Sequence, residues 1–299
     1  MSTGERASIS LWWEAARPRT LPAAVAPVVL ATALARHDGL MNLTAAGLCL
    51  AFALLIQIGT NYANDYYDFV KGADTAARVG PRRAVAAGLI APATMQRAMM
   101  AVFATAFVVG LGLLPFGGWP LLVVGVVSIL CGIAYTGGPY PLAYHGWGDV
   151  FVFVFFGLVA VVATYFVQAQ RITSEAWILG AGIGALATNI LVVNNYRDIA
   201  TDRQAGKRTL AVRFGEGFSQ IQFMAGHLVM IGAIGLLAGR GVLFAPVAGA
   251  LMAFAGLQGV VQSRRLSSAR GAPELIQLLG ATGRHVALSA LLVSVGLLF

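Results

Sequence analysis

Nine stretches of roughly 16 to 22 residues run through this 299-residue chain almost without charged side chains, at about 21–36, 43–62, 93–114, 119–136, 149–169, 175–194, 218–238, 242–262 and 283–299. A helix crosses a hydrocarbon layer with about 20 apolar residues, and backbone facing lipid must be hydrogen-bonded within its own segment. Each stretch therefore predicts a membrane-spanning α-helix. Barrel strands would be about half as long and would alternate in polarity, which these do not. Only 11% of the residues are Asp, Glu, Lys or Arg, while 58% are hydrophobic; a water-soluble globule typically carries about 25% charged residues and is excluded. The 36 glycines suit helices whose backbones approach closely in lipid. The expected class is all-α: one polytopic membrane domain over 1–299, built on nine transmembrane helices.

The connections between these segments form two unlike sets. On one side lie Arg6, Arg17 and Arg19, then Lys71, Arg78, Arg82, Arg83 and Arg97, then Arg197, Arg203, Lys207, Arg208 and Arg213, and finally Arg264, Arg265, Arg270 and Arg284. That is 17 of the 20 Lys and Arg; Arg36, Arg171 and Arg240 fall on the other side. The positive-inside rule makes the N-terminus and the long loops cytoplasmic and, with nine spans, leaves the C-terminus outside a bacterial cytoplasmic membrane. The net charge of +8 is then chiefly a topology signal. Its charges flank membrane segments, so no nucleic-acid partner is expected. No cleavable leader is expected either, because residues 1–20 hold Glu5, Glu14 and three Arg with no short apolar run and small-residue cleavage site. Cys49 and Cys131 fall within spans without a CxxC pattern, and read as packed free thiols.

Polar chemistry gathers in two stretches of the cytoplasmic set. The first runs from Asn61 through Asn64, Asp65 and Asp68 to Lys71, Asp74 and Arg82-Arg83; the second from Asn194-Asn195 through Arg197, Asp198 and Asp202 to Lys207-Arg208. Asn64/Asp68 and Asn194/Asp198 are both i,i+4 pairs, 130 residues apart, an internal repeat in outline over 61–83 and 194–210. Asn61/Asp65 and Asp198/Asp202 repeat the spacing, which stacks oxygens on one helix face. Five of the seven Asp lie here. A carboxylate within a membrane helix costs about 2.5–3.5 kcal/mol on insertion scales, so several together need a cation. Asp and Asn offer the hard oxygens that Mg²⁺ takes alongside substrate phosphates, and the adjoining Lys and Arg can bind diphosphate oxygens directly. The pattern reads as a metal–diphosphate site. Solvated helix ends with ordinary ion pairs are the plainer reading, and suit either stretch alone better than both together.

These residues resemble the two aspartate-rich motifs of the UbiA superfamily of intramembrane aromatic prenyltransferases, as Asn64-Asp65-x-x-Asp68 and Asn194-Asn195-x-Arg197-Asp198-x-x-x-Asp202. The resemblance extends to Ala16-Arg17-Pro18-Arg19-Thr20-Leu21-Pro22, Asp74-Thr75 with Arg78-Val79-Gly80-Pro81-Arg82, Tyr135-Thr136-Gly137-Gly138-Pro139 and Ala205-Gly206-Lys207-Arg208-Thr209-Leu210. In one respect the chain departs: where the superfamily often has a third Asp in the first motif stands Gly72, with Asp74 two residues on. The resemblance implies a central cavity capped by cytoplasmic loops, a polyprenyl diphosphate donor and, in the branch matched best, 1,4-dihydroxy-2-naphthoate as acceptor, giving demethylmenaquinone. It implies two Mg²⁺ ions. The metal set is expected to be Asn64, Asp65, Asp68, Asp198 and Asp202, the catalytic set Asp68, Asp198, Lys71 and Lys207, and the substrate-binding set Arg82, Arg197, Arg208, Tyr135 and Tyr196.

Other polar residues receive plainer expectations. Tyr66, Tyr67, Tyr135 and Tyr196 suit an interfacial aromatic belt as well as a ligand. Asp149 reads as a helix N-cap, His145 as a loop residue able to meet a substrate carboxylate, and His227 and His285 as packing residues. The Phe151–Phe156 run is expected to face lipid or neighbouring helices, with some members on the prenyl channel. Two rivals stay open: an enzyme of the same scaffold acting on 4-hydroxybenzoate, homogentisate or a porphyrin, and a cation-coupled carrier, whose acidic clusters would lie near mid-membrane. A scaffolding protein leaves the paired acidic segments unexplained.

Overall fold

The computed structural model describes residues 8–74 and 80–299, and every regular element among them is helical. Glu5, Arg6, Thr75, Arg78 and Val79, used above, lie outside the described residues. The principal helices are α1 (Ile9–Ala15), α2 (Pro22–His37), α3 (Leu43–Val70), α4 (Pro92–Leu111), α5 (Trp119–Ala134), α6 (Gly148–Ala169), α7 (Ser174–Arg197), α8 (Ile199–Gln204), α9 (Leu210–Gly239), α10 (Ala245–Ser268) and α11 (Ala272–Gly296). Among the described residues eight are long and apolar enough to cross a membrane: α2 with the turn before it, α3, α4, α6, α7, α9, α10 and α11. The apolar α5 is shorter, at 16 residues.

Three helices run about eight residues or more beyond the apolar stretches predicting them. α3 continues to Val70 rather than 62, α9 starts at Leu210 rather than 218 across a bend at Gly215 (φ 83°), and α11 starts at Ala272 rather than 283. An apolar window stops where charge begins, but a helix stops where its backbone loses partners. Side-chain caps fix the starts of the helices that matter here. Asn42, Thr173 and Thr209 accept the backbone N–H of Ala45, Ala176 and Val212 at the heads of α3, α7 and α9. Asp149 does not cap α6. It lies one residue inside the helix and accepts a 2.9 Å bond from Gln222 Nε2 of α9, which gives its buried carboxylate a partner a solvent-facing cap would not need.

Two large apolar cores flank an open interior. One joins α2, α6, α7, α9, α10 and α11 around Leu30, Ile183, Phe223 and Val286; the other joins α1, α3, α4 and α5 around Tyr62, Met95, Met99 and Phe103. A third, smaller cluster of Val28, Ala45, Cys49, Leu113 and Val167 packs α2, α3 and α6 together. At one end of the bundle Arg171 reaches Asp38 at 2.8 Å and Arg240 reaches Glu175 at 2.9 Å. The other end carries both acidic motifs. His227 and His285 stack within the first core with ring centroids 5.2 Å apart, and both cysteines are free.

α7 is the central helix: 78% of its most apolar window is buried within the protein. Glycine permits this. A Cβ on Gly157 would stand 2.4 Å from Gly180 O and 2.6 Å from Gly184 Cα, so α6 and α7 touch backbone to backbone at a widened π-turn over Val154–Val159. The contact leaves the neighbouring Phe151, Phe155 and Phe156 free to turn into the interior. Backbone cannot yield to an added methyl as a side-chain tip can. Gly157→Ala is therefore expected to cost about 1–3 kcal/mol by overpacking, lowering the thermal midpoint in detergent, whereas Gly47→Ala, which meets nothing within 4 Å, should hold or raise it.

Candidate active site

An interior cavity of about 650 Å³ opens between the two cores. Its walls change character along its length. Phe52, Val124, Gly125, Phe151, Phe155 and Phe156 line an apolar portion, while Asn64, Asp68, Arg83, Arg197, Asp198, Asp202 and Lys207 stand at the polar mouth. The phenylalanine run thus divides: these three line the cavity and Phe153 does not.

The polar mouth is built from the last turns of α3 and α7. Because α3 stays helical through Val70, Asn64 and Asp68 project from one face, and both are buried. Asn64 Oδ1 accepts from Thr136 Oγ1 at 2.9 Å, just beyond α5. Asp68 accepts from Tyr144 OH at 2.8 Å and lies 3.2 Å from Lys207 Nζ and 3.3 Å from Arg83 Nη2. Arg83 also approaches Asp74, Nε to Oδ2 at 3.5 Å, so Asp74 braces a cation of the site. In the second motif Arg197 grips Asp198 with both arms, Nε–Oδ1 2.8 Å and Nη2–Oδ2 2.6 Å, and donates to Asn194 Oδ1 at 2.8 Å. Asp202 is 4.0 Å from Lys207 Nζ. Lys207 therefore stands between the two motifs.

Several expected members are arranged otherwise. Asp65 is buried and its two oxygens accept the backbone N–H groups of Ala84 and Val85 at 3.0 and 3.1 Å, which anchors the loop bearing Arg82 and Arg83. Arg82, picked from the sequence, also lines the cavity but at its exposed edge, with its side chain 57% exposed and paired with Glu14, whereas its neighbour Arg83 is 9% exposed and bonded to Asp68. Tyr196 faces away from the cavity: its hydroxyl donates to Glu216 and accepts from Gln220 on α9, because successive helix residues point about 100° apart and the motif's inner face belongs to Asn194, Asn195 and Arg197. Arg208 likewise misses the cavity; its side chain is exposed and its backbone N–H is bonded to Tyr144 O at 2.8 Å. Tyr135 does line the cavity. His145 stacks on Tyr140 with centroids 3.7 Å apart, bonded to Pro141 O.

Tyr144 was not singled out by the sequence. Lys71 Nζ stands 5.2 Å and Lys207 Nζ 4.8 Å from its ring centroid, and Lys71 also donates to Gly138 O at 3.1 Å. Burial, the Asp68 charge and the hydrogen bond given to Asp68 hold the Tyr144 phenol above its ordinary range, so it remains a donor. Partial burial lowers the Lys71 ammonium, with Asp68 opposing and Lys207 adding to the effect. Arg83 Nη1 and Arg197 Nη1 are buried and have no hydrogen-bond partner among the described residues. Guanidinium donors left open beside hard carboxylate and amide oxygens match an anion that carries its own metal. Among the described residues no three acidic, histidine or cysteine side chains form a preformed metal cage. Asn64, Asp68, Asp198 and Asp202 all line one cavity.

Comparison with known proteins gives this geometry its setting. Residues 24–279 match the model of the UbiA prenyltransferase family. The chain is 39% identical over 298 residues to the 1,4-dihydroxy-2-naphthoate octaprenyltransferase of Mycobacterium tuberculosis, covering 98% of each chain. It is 40% identical over 211 residues to the enzyme so named in Escherichia coli, covering 69% of this chain and 68% of that one. A UbiA homolog from Archaeoglobus fulgidus bound to DMAPP and Mg²⁺ superposes with TM-score 0.67 at 13% identity, over 93% of this chain and 99% of the other. The apo homolog from Aeropyrum pernix K1 gives 0.68 at 15%, over 96% and 98%. At such identities the structural likeness is one of fold. With the family model matching most of its length, this chain belongs to the UbiA prenyltransferase family.

Proposed function

We propose that the protein transfers a polyprenyl group from polyprenyl diphosphate to 1,4-dihydroxy-2-naphthoate, releasing diphosphate and CO₂ and giving the prenylated quinol, whose separate oxidation supplies demethylmenaquinone for menaquinone biosynthesis. The observation that carries this reading is the convergence of Asn64/Asp68 and Asp198/Asp202, with buried Arg83 and Arg197 and partly exposed Lys207, at the mouth of an apolar cavity. The names of the Mycobacterium tuberculosis and Escherichia coli relatives support the acceptor. Placement at helix ends, flanked by cations, favours phosphate chemistry over a carrier's mid-membrane site.

Asn64, Asp68, Asp198 and Asp202 would hold Mg²⁺, and two such pairs suit two ions. Bound there, the metal supplies positive charge to the leaving diphosphate. Arg83, Arg197 and Lys207 direct their donors at its oxygens, with Lys71 at the rim, so that charge developing as the allylic C–O bond breaks is met by fixed cations. The apolar wall of Phe52, Phe151, Phe155 and Phe156 houses the prenyl tail and keeps water from the allylic cation. The naphthoate ring carbon bearing the carboxylate captures that cation, and loss of CO₂ restores aromaticity. Asp65 serves by anchoring the Arg83 loop. We further propose that α5 completes a nine-helix bundle whose connections cap the cavity on the cytoplasmic side of a bacterial inner membrane, with the N-terminus cytoplasmic and the C-terminus outside.

Purified protein given Mg²⁺, a polyprenyl diphosphate and the naphthoate should release diphosphate and CO₂ in equal amounts, and EDTA should stop it; a parent protein inactive on every aromatic acceptor would sink the reading. Asp68→Asn and Asp198→Asn should each lower turnover per folded molecule at least about 100-fold. Arg83→Gln should raise the KM for polyprenyl diphosphate by about tenfold or more, while Arg82→Gln, an exposed pair, should change it less than about threefold. In a Cys49→Ser/Cys131→Ser background, Ser8→Cys should react with an impermeant maleimide only after the cells are opened, and Phe299→Cys before.

A further inference from the structure

Tyr144 lies in the turn between α5 and α6, beside the cavity rather than on its wall, yet it touches three charged groups of the site. Its hydroxyl is 2.8 Å from Asp68 Oδ1, and the ammonium groups of Lys71 and Lys207 stand 5.2 and 4.8 Å from its ring centroid. These are the only two lysines in the chain. We propose that Tyr144 is a positioning residue for the diphosphate, its ring holding both lysines at the cavity mouth and its hydroxyl fixing Asp68. The proposal rests on the prenyltransferase reading above and adds a residue to it.

A lysine on a flexible four-carbon stem needs something to hold it in place, and a carboxylate would do so by occupying its donors. An aromatic face attracts the ammonium within about 6 Å without accepting a conventional hydrogen bond, so the N–H groups stay available to phosphate oxygens. Lys71 illustrates the point, having Gly138 O at 3.1 Å besides the ring, while Lys207 shares itself between the ring and Asp68 Oδ1 at 3.2 Å and keeps its remaining N–H groups for the anion. Two ammonium groups on one ring also repel each other. Such a pair is suited to an anion carrying more than one charge. The platform itself is fixed, since Tyr144 N–H donates to Pro141 O at 3.1 Å and Tyr144 O accepts from Arg208 N–H at 2.8 Å, joining the α5–α6 turn to the connection that carries Lys207. The phenolic hydroxyl meanwhile occupies one side of Asp68 Oδ1, which orients the carboxylate.

Ring and hydroxyl make separable predictions. With saturating Mg²⁺, Tyr144→Phe should bind inorganic pyrophosphate within about twofold of the parent by calorimetry, because the ring remains. The same variant, with pyrophosphate saturating, should bind Mn²⁺ about tenfold more weakly by electron paramagnetic resonance, because Asp68 loses its orienting bond. Replacing Tyr144 instead by pentafluorophenylalanine, close to phenylalanine in shape but with the ring's charge distribution reversed, should weaken pyrophosphate about tenfold relative to Tyr144→Phe and raise the KM for polyprenyl diphosphate in step. Equal pyrophosphate affinity in the phenylalanine and fluorinated variants would overturn the platform; unchanged Mn²⁺ affinity in Tyr144→Phe would overturn the role at Asp68. A parent that binds pyrophosphate and shows these differences but transfers no prenyl group would refute the enzymatic reading and leave Tyr144's role standing.

Discussion

The mouth of this bundle depends on one constraint: carboxylates withdrawn from water must have cations or N–H donors within reach. Asp68 is 2% exposed and Asp198 5%, and removing one partner of a buried ion pair costs about 3–5 kcal/mol. The protein meets the constraint with cations that serve twice. Lys207 and Arg83 neutralise Asp68, Arg197 neutralises Asp198, and all three are donors of the kind a diphosphate requires. A diphosphate bringing two acceptor-rich phosphate groups and its own metal can exchange partners with these carboxylates without leaving a charge uncompensated. The acidic and basic halves of the site are thus stable together before substrate arrives.

The helices hold that arrangement because the packing beneath it is close. Gly157, Gly180 and Gly184 let α6 and α7 meet at backbone distance, which fixes the helix carrying Arg197 and Asp198 against the one whose Phe151, Phe155 and Phe156 line the cavity. Without a hydrophobic driving force between helices in lipid, such contact is a main source of their association. The abundance of glycine in the composition therefore bears directly on the site.

Much of this was legible because helices impose a period on sequence. The i,i+4 pairs Asn64/Asp68 and Asn194/Asp198 fall on the inner faces of α3 and α7, and the apolar stretches mark the bundle even where α9 and α11 begin earlier than hydropathy indicates. Loops carry no such period. Nothing in Arg82-Arg83 says which guanidinium turns inward; that is decided by Asp65 capping the N–H groups of Ala84 and Val85. Tyr144 was invisible for the same reason, since its neighbours come from the end of α3 and from the connection before α9, both far from it in the chain. Tyr196 misled because it sits inside a motif, and membership of a motif does not place a side chain on the motif's inner face.

The two motifs are a repeat in spacing but not in electrostatics. At an offset of 130 residues Tyr67 corresponds to Arg197, so the second motif carries its own counter-cation next to Asp198 while the first must obtain cations from elsewhere. Asp68 draws on Arg83, 15 residues on, and on Lys207 from the other half of the chain. Likewise Gly72 stands where the second motif has Asp202, and the displaced Asp74 supports Arg83. The surroundings of Asp198 are consequently set by one helix turn, whereas those of Asp68 bring together the Arg83 loop, the Tyr144 turn and the Lys207 connection, three segments far apart in the chain.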